Sequence, residues 1–96
     1  MNEQKGKAGH EAILDKTLDA VTDIFGAISK LDKDGHSVNG FKFGDNCVPT
    51  VSIRPSRLCE RLIESGEAAY YYRSHCERKG QFRVNGVRVV WSEPLH

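Results

Sequence analysis

This chain lacks the long apolar segments that mark membrane and secreted proteins. No run approaches the roughly 18 apolar residues that a membrane-spanning helix needs. Residues 1–7 are polar and no apolar stretch follows them, which predicts that the chain carries no signal peptide. A length of 96 residues suits one small hydrophobic core. We therefore expect a single-domain cytoplasmic protein.

Sequence patterns for catalysis, cofactors and metal binding are missing as well. No glycine-rich phosphate loop is present. Cys47, Cys59 and Cys76 are widely spaced, unlike a zinc site or a disulfide framework. His75 and Cys76 are adjacent, but on a helix they would point about 100° apart, which does not suit a nucleophile and its base. The sequence therefore predicts no catalytic residue, no cofactor and no metal site, and hence a protein that is not an enzyme.

Arginine is absent from the first half of the chain. Residues 1–50 contain six lysines and eight acidic residues, whereas residues 51–96 contain seven arginines, one lysine and five acidic residues. Arginine is favoured where a planar group must grip carboxylate or phosphate. This division indicates a structural or partner-binding first half and an anion-facing second half. The net charge of +1 is still far from that of a dedicated nucleic-acid protein.

The clearest local pattern is a β-hairpin centred on Asn85-Gly86. These two residues favour a type I′ turn, in which both central positions have φ > 0. The two-residue loop predicts that Val84 pairs with Val87 and that Arg83 pairs with Arg88. Two arginines directly opposite each other repel. We expect an anion to balance them, either an acidic side chain elsewhere in the fold or a phosphate from a partner.

An amphipathic helix is predicted from about residue 10 to residue 31, after a disordered leader at 1–9. Its apolar residues recur at spacings of four and three, at Leu14, Leu18, Val21, Phe25 and Ile28, and Ile13, Ile24 and Leu31 widen this stripe. This spacing fits packing onto the domain's own sheet. It also fits a homodimer through helix 11–31, because the core positions of a coiled coil recur in the same way. We favour intramolecular packing, since a domain of this size needs the helix for its core.

The remaining patterns predict a hairpin at 38–54 and a helix that begins after Ser56. Gly66 either interrupts this helix or is tolerated within it, and a second helical piece is expected at 67–79. The predicted fold class is α+β, in the order αββαββ: an N-terminal amphipathic helix, a β-hairpin, a second helix or helix-turn-helix broken near Gly66, and a C-terminal β-hairpin. The domain would span 10–92, followed by a tail at 93–96.

The segment 56–91 resembles the architecture of a winged helix-turn-helix, although it carries no family motif. In such a module the second helix enters the major groove of double-stranded DNA and the hairpin wing holds phosphates. The expected contacts are Tyr70 and Tyr71 for a base or sugar and, for phosphates, Arg73, Arg78, Lys79, Arg83 and Arg88. On this interpretation the protein is a DNA-binding accessory or regulatory protein.

A protein partner is the alternative. If Gly66 lies within one continuous helix, the arginines line a helix and a strand pair, which suits protein binding as well as DNA binding. Glutamates interleaved with the arginines also weaken the field that a phosphate would feel. The sequence then predicts an inhibitor or adaptor of the type that mobile elements encode. Its partner would be a host protein such as a nuclease or polymerase, bound through the surface from Tyr70 to Arg88.

Overall fold

The computed structural model describes residues 2–44 and 48–95, with side chains from residue 18 onward. Within these residues it contains two helices and a five-stranded mixed sheet. The elements are α1 (Asn2–Lys33), β1 (Val38–Phe43), β2 (Pro49–Ile53), α2 (Arg57–Ser65), β3 (Ala69–Arg73), β4 (Glu77–Val84) and β5 (Val87–Pro94). The predicted α+β class is confirmed, but the order is αββαβββ. Neither described helix is apolar enough over sufficient length to cross a membrane.

One parallel strand pair joins the two halves of the sheet. The strand order is β1-β2-β5-β4-β3, and only β2 and β5 run parallel, with Val51 beside Val89. Parallel neighbours need a long crossover connection, and α2 with β3 and β4 supplies it. The sequence patterns predict both hairpins, but they contain no signal for the pair that joins them.

The C-terminal hairpin has the predicted register. Val84 pairs with Val87 and Arg83 pairs with Arg88. Asn85 and Gly86 have φ values of 51° and 79°, as a type I′ turn requires. The hairpin at 38–54 is also present as β1 and β2, although residues 45–47 of its turn lie outside the described residues.

The prediction of a second helical piece at 67–79 is wrong. Gly66 ends α2 in the left-handed conformation, with φ of 83°, and its N–H donates to the Ile63 carbonyl. The chain then forms β3 and β4. Tyrosine favours strands, and the pairing of Tyr70 with Gly80 and Tyr72 with Lys79 outweighs the weak helical spacing of this segment. A recognition helix therefore does not follow α2, and the helix-turn-helix does not form.

Helix α1 carries two apolar stripes side by side, of which the sheet buries one. The helix begins at Asn2 and so includes residues of the predicted leader at 1–9. Leu18 and Phe25 of the predicted core stripe are 62% and 68% exposed. The buried stripe consists of Ile24 and Leu31, which belong to the predicted stripe, together with Ala20 and Ala27. Both stripes have spacings of three and four, so the sequence alone does not show which of them faces the sheet.

The core is built around Trp91, whose indole occupies the space beside Gly80 of β4. Gly80 is directly across the sheet from Trp91, and a Cβ atom placed on Gly80 would lie 2.2 Å from the Trp91 Cζ2 atom. Tyr70 and Phe82 pack around the same indole, with ring centroids 6.1 and 6.2 Å away. The absence of a side chain at Gly80 is therefore required for the largest core residue to be buried.

We predict that Gly80→Ala lowers the free energy of unfolding by about 2 kcal/mol or more, because the indole and the strand cannot both keep their positions. The matched control is Gly40→Ala in β1, where a Cβ atom would meet nothing within 4 Å. This control should change stability by no more than about 0.5 kcal/mol. Urea denaturation of both variants measures the difference. Equal stability of the two variants would contradict the packing described.

His36 is a buried imidazole next to the core. It is 7% exposed, its ring centroid lies 5.7 Å from that of Phe82, and its Nδ1 atom has no hydrogen-bond partner among the described residues. Burial lowers the pKa of His36 below the ordinary histidine value, although the nearby Asp34 carboxylate partly offsets this effect. The folded protein therefore favours the neutral imidazole.

We predict that acidification from about pH 7.5 to about pH 5.5 destabilises the protein through His36. Below the ordinary histidine pKa of about 6.5, the unfolded chain binds a proton that the folded protein resists. The contribution of the neutral His36 imidazole to the free energy of unfolding is therefore fully present above about pH 6.5. It is lost as the pH falls towards the lowered pKa of His36 in the folded protein. The variant His36→Leu should show a smaller loss over this window in thermal unfolding. An unchanged pH dependence would show that His36 does not cause it.

Candidate functional site

Both helices pack on one face of the sheet, and no element among the described residues covers the other face. Leu31 of α1 and Cys59 of α2 belong to a single core together with Trp91. Side chains alternate along each strand, so the residues between the buried ones point away from this core. We call the uncovered surface the open face. It comprises Lys42, Thr50, Ser52, Ala69, Tyr71, Tyr72, Glu77, Lys79, Gln81, Arg83, Arg88, Val90 and Ser92.

One row of the open face crosses four strands and carries three cations. Lys42 pairs with Thr50, Thr50 with Arg88, and Arg88 with Arg83. Adjacent strands lie about 4.8 Å apart, so the row places these charges on a backbone span of about 15 Å. Lys42 enters the row only through the parallel pairing of β2 with β5. The row therefore combines residues from both halves of the chain.

The two opposed arginines are held by neutral acceptors. The Arg88 Nε atom donates to Gln81 Oε1 at 2.7 Å, and its guanidinium carbon lies 4.7 Å from the centre of the Tyr71 ring. The Arg83 Nη1 atom donates to the Gly86 carbonyl at 3.3 Å. Among the described residues, neither arginine forms a salt bridge with a carboxylate. Of the two expected anions, an acidic side chain of the fold is thus not found among the described residues, and the opposed positive charges remain available to an external anion.

Two tyrosines share the open face because β3 is irregular. The register of β3 against β4 shifts between Tyr70 and Tyr72, which leaves Tyr71 as the extra residue of a β-bulge. The Tyr71 ring contacts Arg88. The Lys79 ammonium lies over the Tyr72 ring, with its Nζ atom 5.1 Å from the ring centre. The two tyrosines are 42% and 46% exposed. Exposed rings therefore lie among the basic side chains of this face.

The open face carries a positive charge although the whole chain is nearly neutral. Its cations are Lys42, Lys79, Arg83 and Arg88. One acidic residue of β4, Glu77, also points to this side, where it accepts a hydrogen bond from Ser92 at 2.8 Å and lies 4.0 Å from Lys79. The balance of four cations to one acid indicates that this surface is suited to an anionic partner.

The basic surface continues around the edge of the sheet into a cleft of about 740 Å³. The cleft lies between the end of α1, the start of β3 and the hairpin of β4 and β5. Arg83, Arg88 and Lys30 contribute positive charge to its lining, and Asp34 and Glu67 contribute negative charge. Lys30 is paired with Asp34 at 3.6 Å. The two hairpin arginines are therefore the cations of the cleft that lack a carboxylate partner among the described residues.

The structure places three of the predicted contact residues on the helix-facing side of the sheet. The Tyr70 hydroxyl donates to Glu93 Oε1 at 3.0 Å, and Arg78 forms an ion pair with the same carboxylate. The Arg78 guanidinium also lies 4.2 Å from the Tyr70 ring centre. Arg73 pairs with Arg78 across the strands and shares its side by register. Tyr70 and Arg78 thus have structural partners.

The other four predicted contact residues, Tyr71, Lys79, Arg83 and Arg88, lie together on the open face. Sequence reasoning missed Lys42, Tyr72 and Gln81. The position of Lys42 depends on a parallel pairing that has no local signal. Tyr72 shares a face with Tyr71 only because of the bulge. Gln81 could have been found, because the hairpin register already places it two residues before Arg83 on the same side.

Cysteine chemistry does not contribute to this surface in the described residues. Cys59 is buried, and burial raises the pKa of its thiol, so it stays protonated. Cys76 is exposed in the turn between β3 and β4. Cys47 lies outside the described residues. Within the described part of the chain, no group of three or more histidine, cysteine or acidic side chains is arranged to hold a metal ion.

A family model described as "Uncharacterised protein" matches residues 11–94, so the chain belongs to that family. No curated protein and no solved structure matches the chain. The matched segment contains α2 and all five strands, and it therefore includes every residue of the open face. The function of this surface must be inferred from its geometry and charge.

We predict that Glu93→Gln destabilises the protein and removes part of its acid sensitivity. Burial alone would raise the pKa of Glu93, but hydrogen bonds from Arg78, Trp91 and Tyr70 lower it below the ordinary value. The carboxylate therefore stabilises the fold above the ordinary glutamate pKa of about 4.3, and this contribution is lost as the pH falls below it. Thermal unfolding between about pH 6 and pH 3 should show a smaller decline for Glu93→Gln than for the wild type. A parallel decline would contradict this role.

Proposed function

We propose that this protein binds nucleic acid through the open face and carries out no chemistry on it. The observation that supports this proposal is the opposed pair Arg83 and Arg88, which lacks a carboxylate partner among the described residues. Directly opposed like charges destabilise a strand pair. A phosphate bound between the two guanidiniums removes that repulsion, and arginine suits phosphate because its planar group donates two parallel hydrogen bonds.

The arginine pair is partly organised before a ligand arrives. Gln81 and Tyr71 hold Arg88 on one side of the strand, so less side-chain freedom is lost when it binds phosphate. Lys42 and Lys79 extend the positive surface on either side. A backbone of successive phosphates can therefore be contacted at several points across the sheet, as a strongly salt-dependent interaction requires.

The exposed tyrosines favour single-stranded nucleic acid over a duplex. Bases that are not paired can stack on aromatic rings, and each such contact is worth about 1–3 kcal/mol. Tyr71 and Tyr72 offer rings within the basic surface. A duplex hides its bases, and the helix predicted to enter its groove is not formed. Double-stranded DNA would be contacted mainly at its phosphates by the hairpin tip.

The biological setting that we propose follows from this activity. An accessory or regulatory role in the cytoplasm is consistent with a small domain whose surface is specialised for binding. A reducing cytoplasm also suits the free thiols of Cys59 and Cys76.

Binding to a host protein, as an inhibitor or adaptor, is the second candidate. The observation that favours it is the pairing of exposed tyrosine and arginine side chains, which are the residue types that dominate protein interfaces. Such an interface would weaken only mildly with salt, whereas a phosphate-driven complex weakens steeply. The two candidates therefore differ in a measurable property.

We predict that Arg83→Gln combined with Arg88→Gln weakens nucleic-acid binding. In fluorescence anisotropy with short random-sequence single-stranded DNA, the double variant should show weaker affinity. The slope of log affinity against log salt should become shallower by about 1.4, which corresponds to two lost phosphate contacts on a single strand. Its stability should be unchanged or improved, because a like-charge pair is removed.

The matched control is Arg57→Gln combined with Arg61→Gln, which makes the same charge change on the exposed surface of α2. This control should retain nearly all of the affinity. Equal losses in both double variants would show that only net charge matters and would contradict a site on the open face. Absence of wild-type binding to single strands and duplexes at low salt would reject the nucleic-acid proposal and favour a protein partner.

A further inference from the structure

An apolar groove lies on the helix-facing side of the sheet, away from the open face. It is formed where α1 passes over the edge strand β1, and no polar surface lines it. Phe25 of α1 and Phe41 and Phe43 of β1 are 68%, 57% and 42% exposed. Single exposed apolar residues are normal, but a contiguous group of exposed phenylalanines marks an interaction surface.

The exposed stripe of α1 forms one wall of this groove. Leu18, Val21, Phe25 and Ile28 follow spacings of three, four and three, and Leu14 continues the pattern in the sequence. This average repeat of 3.5 residues is the repeat with which one helix packs along another helix. Within this stripe Leu18 and Phe25 are exposed, Val21 is half-buried, and Ile28 is half-buried against the core that Ile24, Ala27 and Leu31 of the neighbouring stripe join. The spacing therefore points to a helix as the partner of the exposed stripe.

We propose that a second copy of this chain occupies the groove, with the two α1 helices packed antiparallel about a two-fold axis near Val21. The stripe positions are nearly symmetric about Val21, since Leu14 and Ile28 lie seven residues before and after it. A two-fold interface requires this kind of self-complementarity, because the same patch is used by both copies. Phe25 of one copy would then lie close to Leu18 of the other.

Charge and area both fit a second copy. The described members of the stripe are uncharged, and Thr22 and Ser29 beside it are uncharged as well; the first charged residue on the same line is Asp32, one turn beyond Ile28 and far from the two-fold axis. The surface can thus meet its own copy without like-charge repulsion. The exposed parts of the three phenylalanines amount to roughly 300 Å² per copy, since a phenylalanine can bury about 150–250 Å². A stable interface needs about 800 Å² per partner, and the phenylalanines therefore supply over a third of it.

The arrangement leaves the open face accessible. The groove lies on the same side of the sheet as the helices, whereas the open face lies on the opposite side. A dimer of this kind would carry two separate open faces. The inference is independent of the proposed function, because it rests on a different surface and can fail without affecting it.

We predict that the wild-type chain sediments with twice the mass of 10.8 kDa at high concentration. Leu18→Gln combined with Phe25→Gln should weaken the dimer by roughly tenfold or more. Folding should be unaffected, because both side chains are exposed within one copy. The control is Asp19→Gln combined with Asp23→Gln, on the opposite side of α1, which should leave the dimer intact. A wild type that is monomeric at every concentration overturns the proposal.

A cross-linking experiment tests the antiparallel arrangement itself. In a background of Cys47→Ser and Cys76→Ser, with added diamide as the oxidant, Val21→Cys should form a disulfide between two copies, because the two-fold axis brings these positions together. Asp19→Cys, which faces away from the groove, should not. A dimer in which Val21→Cys forms no disulfide would overturn the antiparallel pairing about Val21.

Discussion

The parallel pairing of β2 with β5 is the constraint on which the rest of the structure depends. It aligns Val51 with Val89 in the core and, on the other side of the same strands, Thr50 with Arg88. Without it the protein would consist of two antiparallel units, each too small to enclose a core. With it, β1 and β3 become the edges of a single sheet, and Lys42 is brought into line with the arginines of the hairpin. The core and the candidate site therefore both depend on the pairing of β2 with β5.

Arginine has different kinds of partner on the two faces of the sheet. On the helix-facing side, Arg78 is paired with Glu93, which also accepts hydrogen bonds from Tyr70 and Trp91. Because the Glu93 carboxylate accepts hydrogen bonds from residues of both strands, it links the end of β5 to β3 and β4. On the open face, Arg88 donates a hydrogen bond to the Gln81 amide oxygen and lies against the Tyr71 ring, and no carboxylate among the described residues pairs with it. The same residue type is thus structural where it has an acid and available for binding where it has none.

The sequence predicts the features that depend on local backbone chemistry. It does not predict the features that depend on pairing between strands that are far apart in the chain. Asn85-Gly86 determines its turn and the register of both flanking strands, because few other residues adopt positive φ at two successive positions. Gly66 ends α2 for a similar reason. The weak periodicity of the segment after Gly66 fits either a helix or a strand, and β3 forms there because it pairs with β4. The two stripes of α1 are both apolar and have the same spacings, so only the packed structure shows which of them faces the sheet. Arg83 and Arg88 could be placed together from the hairpin, whereas Lys42 could not.

The β-bulge at Tyr71 has a consequence for how this family can vary in length. In a regular strand, deleting one residue turns every later side chain to the opposite face. In β3 the bulge already contains one residue more than the partner strand needs. A relative that lacks a residue at this point could keep all remaining pairs with β4 by forming a regular strand, and it would lose one aromatic ring from the open face. The number of tyrosines on that surface can thus change without a change in the fold.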